Sequence, residues 1–167
     1  MEFRKSTHAD ADGIMEIIRQ AQSYLKSQGI DQWQNNYPNP EVVKKDIDEE
    51  NGYVIVKDKL IIGTVTVSFD GESTYDVIYD GAWKSNQPFA VIHRIAVRDE
   101  YKGQGISSKI IRWIEEMCLK KGIHSIKVDT HEKNLSMQKI LKNNGFEYCG
   151  IIYLANGSKR MAFEKMI

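Results

Sequence analysis

Apolar residues near the start of the chain recur at helical spacing, behind a short segment that has the form of a helix N-terminus. Residues 7–10, Thr-His-Ala-Asp, make a capping box, in which side-chain oxygens accept hydrogen bonds from the first free backbone N–H groups. The apolar stripe consists of Ile14, Ile17, Ile18, Ala21 and Leu25. The stripe stops near Gly29, so we predict an amphipathic helix that follows a short strand at residues 3–4.

The segment after this helix has no helical stripe. Residues 30–39 mix Trp33 and Tyr37 with Gln and Asn and are closed by proline, a composition typical of an ordered loop. Asn39 can cap a second helix that has Pro40 in its first turn. We therefore predict a loop followed by a short helix.

Runs rich in β-branched and aromatic residues mark the predicted strands. Residues 53–57 and 60–69 are separated by Asp-Lys and predict an antiparallel hairpin. Residues 148–155 and 159–165 flank Asn-Gly, which is a strong hairpin signal. Residues 89–97 form a nearly continuous apolar run, as expected of a central strand that is covered on both faces.

The remaining segments complete one order of elements. Residues 106–117 carry a helical stripe that stops at Gly122, residues 126–130 predict a strand, and residues 136–143 predict another helix. Residues 70–88 are too apolar for a linker, and we predict a partly packed loop there. The order β-α-α-β-β-β-α-β-α-β-β predicts one mixed sheet in an α/β (α+β) fold.

Length and composition narrow the classes of function. A chain of 167 residues fits one domain, spanning residues 1–167. Its 23 basic and 23 acidic residues cancel, so no net field attracts nucleic acid or a membrane surface. Cys118 and Cys149 lack the spacing of a disulfide framework or zinc site, and no run approaches the roughly 20 apolar residues that span a bilayer. We expect a soluble, cytoplasmic protein.

A glycine-containing turn joins the predicted central strand to the helix at residues 106–117. The run is Lys102-Gly103-Gln104-Gly105-Ile106-Ser107. Such a turn exposes unpaired N–H groups at the positive end of the helix dipole, and glycine lets the backbone approach a ligand closely. Taken alone, the turn fits a phosphate site and a tight connection equally well.

Two blocks of sequence resemble the signature of the GNAT superfamily of N-acetyltransferases. Residues 95–107 resemble a strand ending in Ala-Val, then a basic residue and spaced glycines, with Lys102 at the basic position and Ser107 at the final small position. Residues 134–146 resemble the second block, an Asn followed at a fixed distance by Gly-Phe. A Rossmann dinucleotide site fits less well, because its third glycine is missing.

The resemblance extends over essentially the whole chain and implies a fold and a chemistry. It implies a GNAT-like single domain with a mixed, mostly antiparallel twisted sheet of about seven strands flanked by four helices. It also implies acetyl-CoA as co-substrate without a metal, direct transfer to an amine, and an oxyanion donor at the backbone N–H of Val97. Residues 104–108 would bind the pyrophosphate, and residues 95–97 would pair with the pantetheine amides. The residues assigned to CoA are Ile95, Ala96, Val97, Lys102, Gly103, Gln104, Gly105, Ile106, Ser107, Ser108, Asn134 and Met137.

The resemblance leaves the general acid and the general base open. Many family members place a Tyr seven residues after the Asn of the second block, where this chain has Leu141. Tyr153, Tyr148 or water are the alternatives for protonating the leaving thiolate, although each tyrosine also fits a packing role. By strand alternation His93 faces the same side as Ile95, which makes it a candidate base as well as a candidate structural histidine.

Two further groups of residues concern ligands other than CoA. His93 could join Asp129 and His131, which share a face of the next strand, in a metal set, but no other ligands stand at a recognisable spacing and we expect no metal. Trp33 and Tyr37 lie in the loop where the family builds much of its acceptor pocket, although covering the core is an equal alternative for Trp33.

Three functional hypotheses follow. The first is an acetyl-CoA-dependent N-acetyltransferase that acts on a small-molecule primary amine, with no nucleic-acid or membrane partner. The second is a non-catalytic acyl-CoA-binding sensor or scaffold, because the usual Tyr is missing. The third is a nucleotide-binding fold that uses the turn for ATP. An exposed final strand could also pair across the axis of a homodimer.

Overall fold

The computed structural model describes all 167 residues. The strands are β1 (Glu2–Lys5), β2 (Gly52–Lys57), β3 (Leu60–Ser68), β4 (Ala90–Val97), β5 (Ser125–Thr130), β6 (Glu147–Tyr153) and β7 (Lys159–Met166). The helices are α1 (Ala11–Ser27), α2 (Pro40–Asp48), α3 (Ile106–Lys120) and α4 (Leu135–Asn143). Short 3₁₀ turns occupy His8–Asp10, Ser73–Tyr75 and Asp99–Tyr101. The predicted order of strands and helices is confirmed.

The strands form one seven-stranded sheet in the order β1-β2-β3-β4-β5-β7-β6. β4 and β5 are parallel, whereas β1–β2, β2–β3, β5–β7 and β6–β7 are antiparallel. The predicted mixed, mostly antiparallel sheet with four helices is therefore confirmed. The prediction of an exposed final strand is wrong, because the last hairpin inserts β7 between β5 and β6. None of the helices combines the length and the apolar character needed to cross a membrane.

The chain divides into two compact units, the first comprising residues 1–67 and 93–113 and the second residues 68–92 and 114–167. In the first unit, α1 and α2 pack against the strands through a buried cluster. Its members are Ile14, Met15, Ile18, Val43, Ile47 and Val54. Phe3 stacks on Tyr53 and on Trp113, each with ring centroids 5.1 Å apart. Neighbouring strand residues project to opposite faces, so both faces of these strands are covered.

A capping box stands ahead of α1 and a side chain caps α2, as the sequence predicts. Asp10 Oδ2 accepts from the backbone N–H of Thr7 at 2.7 Å, and this capping box closes the 3₁₀ turn ahead of α1. The Arg4 guanidinium donates to both oxygens of Asp10 at 2.8 and 3.0 Å and holds the pKa of that carboxyl below its usual value. Asn39 Oδ1 accepts from the backbone N–H of Val42 at 3.0 Å.

In the second unit, the long connection between β3 and β4 packs along the strands. Tyr75 is buried, and its hydroxyl donates to Asp129 Oδ2 at 2.6 Å. Glu164 of β7 is also fully buried and accepts from the backbone N–H of Lys84 at 2.6 Å. The predicted partly packed loop is confirmed, and its anchors are hydrogen bonds to charged side chains on the strands.

The outer edge of the second unit's strands is β6. Tyr79 and Ile151 exchange two backbone hydrogen bonds of 2.8 Å each, in an isolated antiparallel bridge. The following Gly81 lies so close to β6 that a Cβ there would stand 1.9 Å from the carbonyl oxygen of Cys149. The connection between β3 and β4 therefore lies directly along part of this edge.

β4 leads into the glycine turn and is irregular before it does so. Its register with β5 consists of two residue pairs, the second of which is Val91↔Lys127. Three residues further on, Arg94 has a φ of +49°, in the left-handed region that residues other than glycine rarely adopt. This left-handed residue interrupts the regular strand between His93 and Ile95, and the predicted alternation of their side chains depends on a regular strand.

Candidate active site

The turn between β4 and α3 has the backbone that a phosphate site requires. Gly103 and Gly105 have φ values of +78° and +75°, and residues that carry a Cβ atom rarely adopt this conformation. A Cβ built on either glycine would meet no atom within 4 Å. The glycines are therefore required by their dihedral angles, and the space in front of them is open to a ligand.

The backbone amides of this turn are available for hydrogen bonding. The N–H of Lys102 donates to Asp99 O at 3.2 Å, and the N–H of Lys109 donates to Gly105 O at 3.1 Å. Between them, the N–H groups of residues 103–107 donate to no acceptor within the protein. They stand at the positive end of α3, so an anion here would receive several hydrogen bonds and a favourable dipole.

The side chains of the turn are held by the protein itself. Lys102 Nζ lies 2.8 Å from Asp99 Oδ1 and 4.8 Å from the centroid of the Tyr24 ring. Gln104 Nε2 donates to the carbonyl oxygen of Glu100 at 3.3 Å. The amides of the turn are thus its principal open donors, while Lys102 already has an acidic partner.

An open groove runs along α1 beside this turn. Its lining residues are Glu16, Arg19, Gln20, Ser23, Tyr24, Ser27, Arg98, Asp99 and Lys102. Two contacts fix α1 to the start of the turn. Arg98 Nη2 lies 3.1 Å from Glu16 Oε2, and the backbone N–H of Asp99 donates to Gln20 Oε1 at 2.8 Å. The groove and the glycine turn therefore belong to one fixed surface of the first unit.

The residues predicted to pair with the pantetheine arm lie at the end of β4, beyond its register with β5. Ile95 and Val97 are half-buried, and Ala96 is 9% exposed. Immediately after them the N–H of Arg98 donates to Ile62 O at 2.8 Å. This stretch is thus held on the β3 side and partly accessible.

The residues of the second sequence block lie in the second unit. Asn134 is the N-cap of α4, and its Oδ1 accepts from the backbone N–H of Met137 at 3.2 Å. Leu141, at the position where many family members carry Tyr, is 2% exposed and faces the core. The side-chain oxygen of Asn134 thus has a structural role that its sequence position did not reveal.

The tyrosines considered as general acids lie on β6, where each makes an edge-to-face contact with another aromatic ring. Tyr153 is 46% exposed and meets Tyr79 edge-to-face with ring centroids 5.4 Å apart. Tyr148 meets Phe163 in the same way at 5.9 Å. β7 lies between β6 and β5, so one strand separates both tyrosines from β5.

Both cysteines are buried, and one of the candidate metal ligands, Asp129, is hydrogen-bonded within the protein. Burial raises the pKa of the Cys118 thiol to about 11, so this side chain is a protonated core residue at neutral pH. Burial also raises the pKa of Asp129, whose carboxylate accepts a hydrogen bond from the Tyr75 hydroxyl. The structure contains no group of three or more His, Cys, Asp or Glu side chains that could hold a metal ion.

The loop at residues 30–39 is ordered and strained. Trp33, Asn35 and Asn36 all have φ values near +60°, and this conformation is costly for a bulky residue such as Trp. Hydrogen bonds from Gln22 Nε2 to Pro38 O and from Gln34 Nε2 to Gln22 O, at 3.0 and 3.1 Å, tie the loop to α1. Backbone strain of this kind persists only where the surroundings enforce it.

Sequence reasoning missed the group of side chains around Arg94. Its Nε and Nη2 donate to the two oxygens of Asp46 at 2.7 and 2.6 Å, and its Nη1 donates to the Tyr37 hydroxyl at 2.9 Å. Burial lowers the pKa of Arg94, but the hydrogen bonds and charge interactions with Asp46 and Tyr37 together outweigh it, so the net pKa is raised. The available signal was an acidic residue, Asp46, between the inward positions Val43 and Ile47 of a short amphipathic helix.

Comparisons with known proteins agree with this geometry. Residues 15–146 match the family model described as the acetyltransferase (GNAT) family. The chain is 29% identical over 118 residues to S-alkylcysteine N-acetyltransferase of Bacillus subtilis, a match that covers 71% of this chain and 61% of that protein. It is 23% identical over 170 residues to S-(2-succino)cysteine N-acetyltransferase of the same organism, covering 99% and 95%. A GNAT-family acetyltransferase structure from Streptococcus agalactiae superposes with a TM-score of 0.89 at 30% identity, covering 99% and 95%.

Proposed function

The chain belongs to the acetyltransferase (GNAT) family, and from that premise we propose that residues 1–167 act as one acetyl-CoA-dependent N-acetyltransferase domain. The acetyl group passes directly from the thioester of acetyl-CoA to the primary amine of a small acceptor while both are bound. The observation that carries this proposal is the row of unpaired backbone N–H groups at residues 103–107, at the start of α3.

The chain's own groups fit the first requirement, which is to hold the co-substrate. The amides of the turn would bind the diphosphate, and residues 95–97 at the end of β4 would pair with the pantetheine amides as an added strand does. Asn134 and Met137, at the start of α4, are the further residues proposed to contact the arm. Lys102 contributes less to binding, since Asp99 already neutralises it.

Direct transfer further requires a donor to the oxyanion and a source of a proton for the thiolate. The backbone N–H of Val97 is proposed to donate to the oxyanion that develops on the thioester carbonyl. No nucleophilic side chain is needed, and the raised pKa of Cys118 supports a mechanism without one. The exposed, ring-packed position of Tyr153 favours water as the proton source for the departing thiolate, whereas His93 stays a candidate base.

The acceptor is proposed to be a small amine. Two relatives of this chain carry names that specify cysteine derivatives as their acceptors, which supports a small amino-acid-like molecule. The balanced charge of 23 basic and 23 acidic residues also disfavours a strongly charged polymer.

The proposal is tested by incubating the protein with acetyl-CoA and a panel of primary amines and following the release of free thiol. We expect turnover with at least one small amine. We also expect CoA to raise the melting temperature and ATP to leave it unchanged. Stabilisation by CoA without thiol release would favour the non-catalytic binding protein, and the absence of any stabilisation by CoA would refute the proposal.

A further inference from the structure

Arg94 is a largely buried charged side chain in the second half of β4. Its guanidinium is fixed on one side by both oxygens of Asp46, and the hydroxyl of Thr66 donates to the same carboxylate at 2.8 Å. Asp46 and Thr66 are both buried, and the Arg94 side chain is 17% exposed. The plane and the direction of the guanidinium are therefore set by the core of the first unit.

This arrangement leaves Arg94 with unused donors. A guanidinium has five N–H groups. Three are used, one each on Nε and Nη2 for Asp46 and one on Nη1 for the Tyr37 hydroxyl. The second N–H of Nη1 and the second N–H of Nη2 donate to no group of the protein. These two N–H groups, the Arg94 fork, remain open to an acceptor.

Tyr37 adds a third donor beside this fork. Its oxygen accepts from Arg94 Nη1, so its own O–H hydrogen is turned away from the guanidinium. The side chain is 42% exposed and stands on the strained loop at residues 30–39. A carboxylate has two acceptor oxygens and binds a fixed fork of donors especially well.

The position of this group along β4 bears on the reaction. β4 runs towards the glycine turn, so a pantetheine arm that leaves the turn and pairs with residues 97 to 95 has its thioester at the Arg94 end. An α-amino acid carries its amine and its carboxylate on the same carbon. A carboxylate held beside Arg94 therefore keeps the amine close to the thioester.

We propose that Arg94 and Tyr37 form an anchor for the carboxylate of an amino-acid acceptor, an inference that rests on the proposed acetyltransferase function. Asp46 and Thr66 act as positioning residues that hold the guanidinium in place. Because Asp46 already balances the charge of Arg94, the anchor recognises a carboxylate through oriented N–H and O–H donors rather than through net charge. Recognition of this kind discriminates strongly against an analogue that lacks the acceptor group.

The test compares free L-amino acids with their carboxamides as acceptors, with S-methyl-L-cysteine included in the panel. For the wild-type protein we expect kcat/KM to be about 10-fold or more higher for the best free amino acid than for its carboxamide, from the loss of charge-assisted hydrogen bonds. Tyr37→Phe should raise the KM of the free acid several-fold with little change in kcat. The same substitution should leave the KM of the carboxamide unchanged. The ratio of kcat/KM for the free acid to kcat/KM for the carboxamide should therefore fall.

Arg94→Lys keeps a cation for Asp46 but removes the fork, and we expect it to abolish the preference for the free acid. Tyr79→Phe removes an exposed hydroxyl on another part of the chain and serves as the matched control, for which we expect an unchanged ratio.

The stabilisation by CoA is measured for every variant. If CoA binds and carboxylate-free amines react as well as amino acids, the anchor is refuted while the acetyltransferase stands. If Tyr37→Phe leaves the ratio unchanged, the anchor is refuted as well.

Discussion

Backbone dihedrals of single residues carry much of the functional information in this protein. Residues with a positive φ include Gly103 and Gly105 in the turn, Trp33 in the loop at residues 30–39, and Arg94 in β4. The glycines adopt this conformation at low cost, whereas Trp33 and Arg94 pay on the order of 1–3 kcal/mol each. Strain at the two non-glycine positions marks them as residues that the surrounding structure holds in place.

Gly105→Ala tests the turn at the scale of one residue. A Cβ at φ +75° costs about 1–2 kcal/mol and is relieved by rotating the amides of the turn. We expect the Kd for CoA to rise about 10-fold or more. Gly122→Ala, at φ +70° after α3 and equally open, should lose similar stability without a change in Kd. Equal Kd values for both variants, measured by calorimetry, would contradict the proposed diphosphate site.

Local chemistry made some residues predictable and left others unreadable. The capping roles of Asp10 and Asn39 follow from short-range spacing and are confirmed. The Arg94–Asp46 pair joins positions 48 residues apart, and no local sequence pattern predicts such a pair. The side of the sheet that His93 faces stays a prediction, because the left-handed Arg94 beside it interrupts the period of two on which that prediction rests.

Whole elements were predicted more reliably than single contacts. Helical and alternating patterns gave all four helices and all seven strands, because each pattern reports which face of an element is buried. The neighbours of β7 were not predicted, since hairpin signals identify adjacent strands and not the outer partner. The path of the connection between β3 and β4 does not follow from its sequence pattern, because its hydrogen bonds, such as that between Tyr75 and Asp129, join residues far apart in the chain.

Two helix caps of the same chemistry provide a matched test at the scale of elements. Asn39 caps α2 and Asn134 caps α4, each through Oδ1, at 3.0 and 3.2 Å. Asn39→Ala and Asn134→Ala should each lower the free energy of unfolding by about 1 kcal/mol. Only Asn134→Ala should also weaken CoA binding. Urea unfolding and calorimetry on both variants check this, and an unaltered Kd in Asn134→Ala would remove the residue from the CoA site.

The stability of the molecule as a whole depends on pH through the Arg4–Asp10 pair. Hydrogen bonds from Arg4 lower the pKa of Asp10 below the usual value of an aspartate. A carboxyl with a lowered folded pKa stabilises the fold above its unfolded pKa, and that contribution is lost as pH falls through the folded pKa. The sequence contains the pair, and only the structure shows that the two side chains meet.

Asp10→Asn should therefore lower the free energy of unfolding at neutral pH by about 1 kcal/mol, since partial exposure of Arg4 lets solvent screen the pair. The difference from the wild-type protein should narrow as pH falls from the unfolded pKa of Asp10 through its lower folded pKa, where the folded wild-type carboxyl becomes protonated as well. Denaturant unfolding across this range provides the measurement. Asp12→Asn, at an exposed position in the first turn of α1, is the control, and an equal pH trend in both variants would argue against the assignment.

The two backbone bonds between Tyr79 and Ile151 have a consequence for behaviour at high concentration. A β-strand at the rim of a sheet is a template on which a foreign strand can grow, which is a common route to aggregation. Here the middle of β6 already has its polar groups occupied by the chain's own connection, and Gly81 lets that connection lie flush against it. The molecule thereby shields this rim from strand addition by its neighbours in solution.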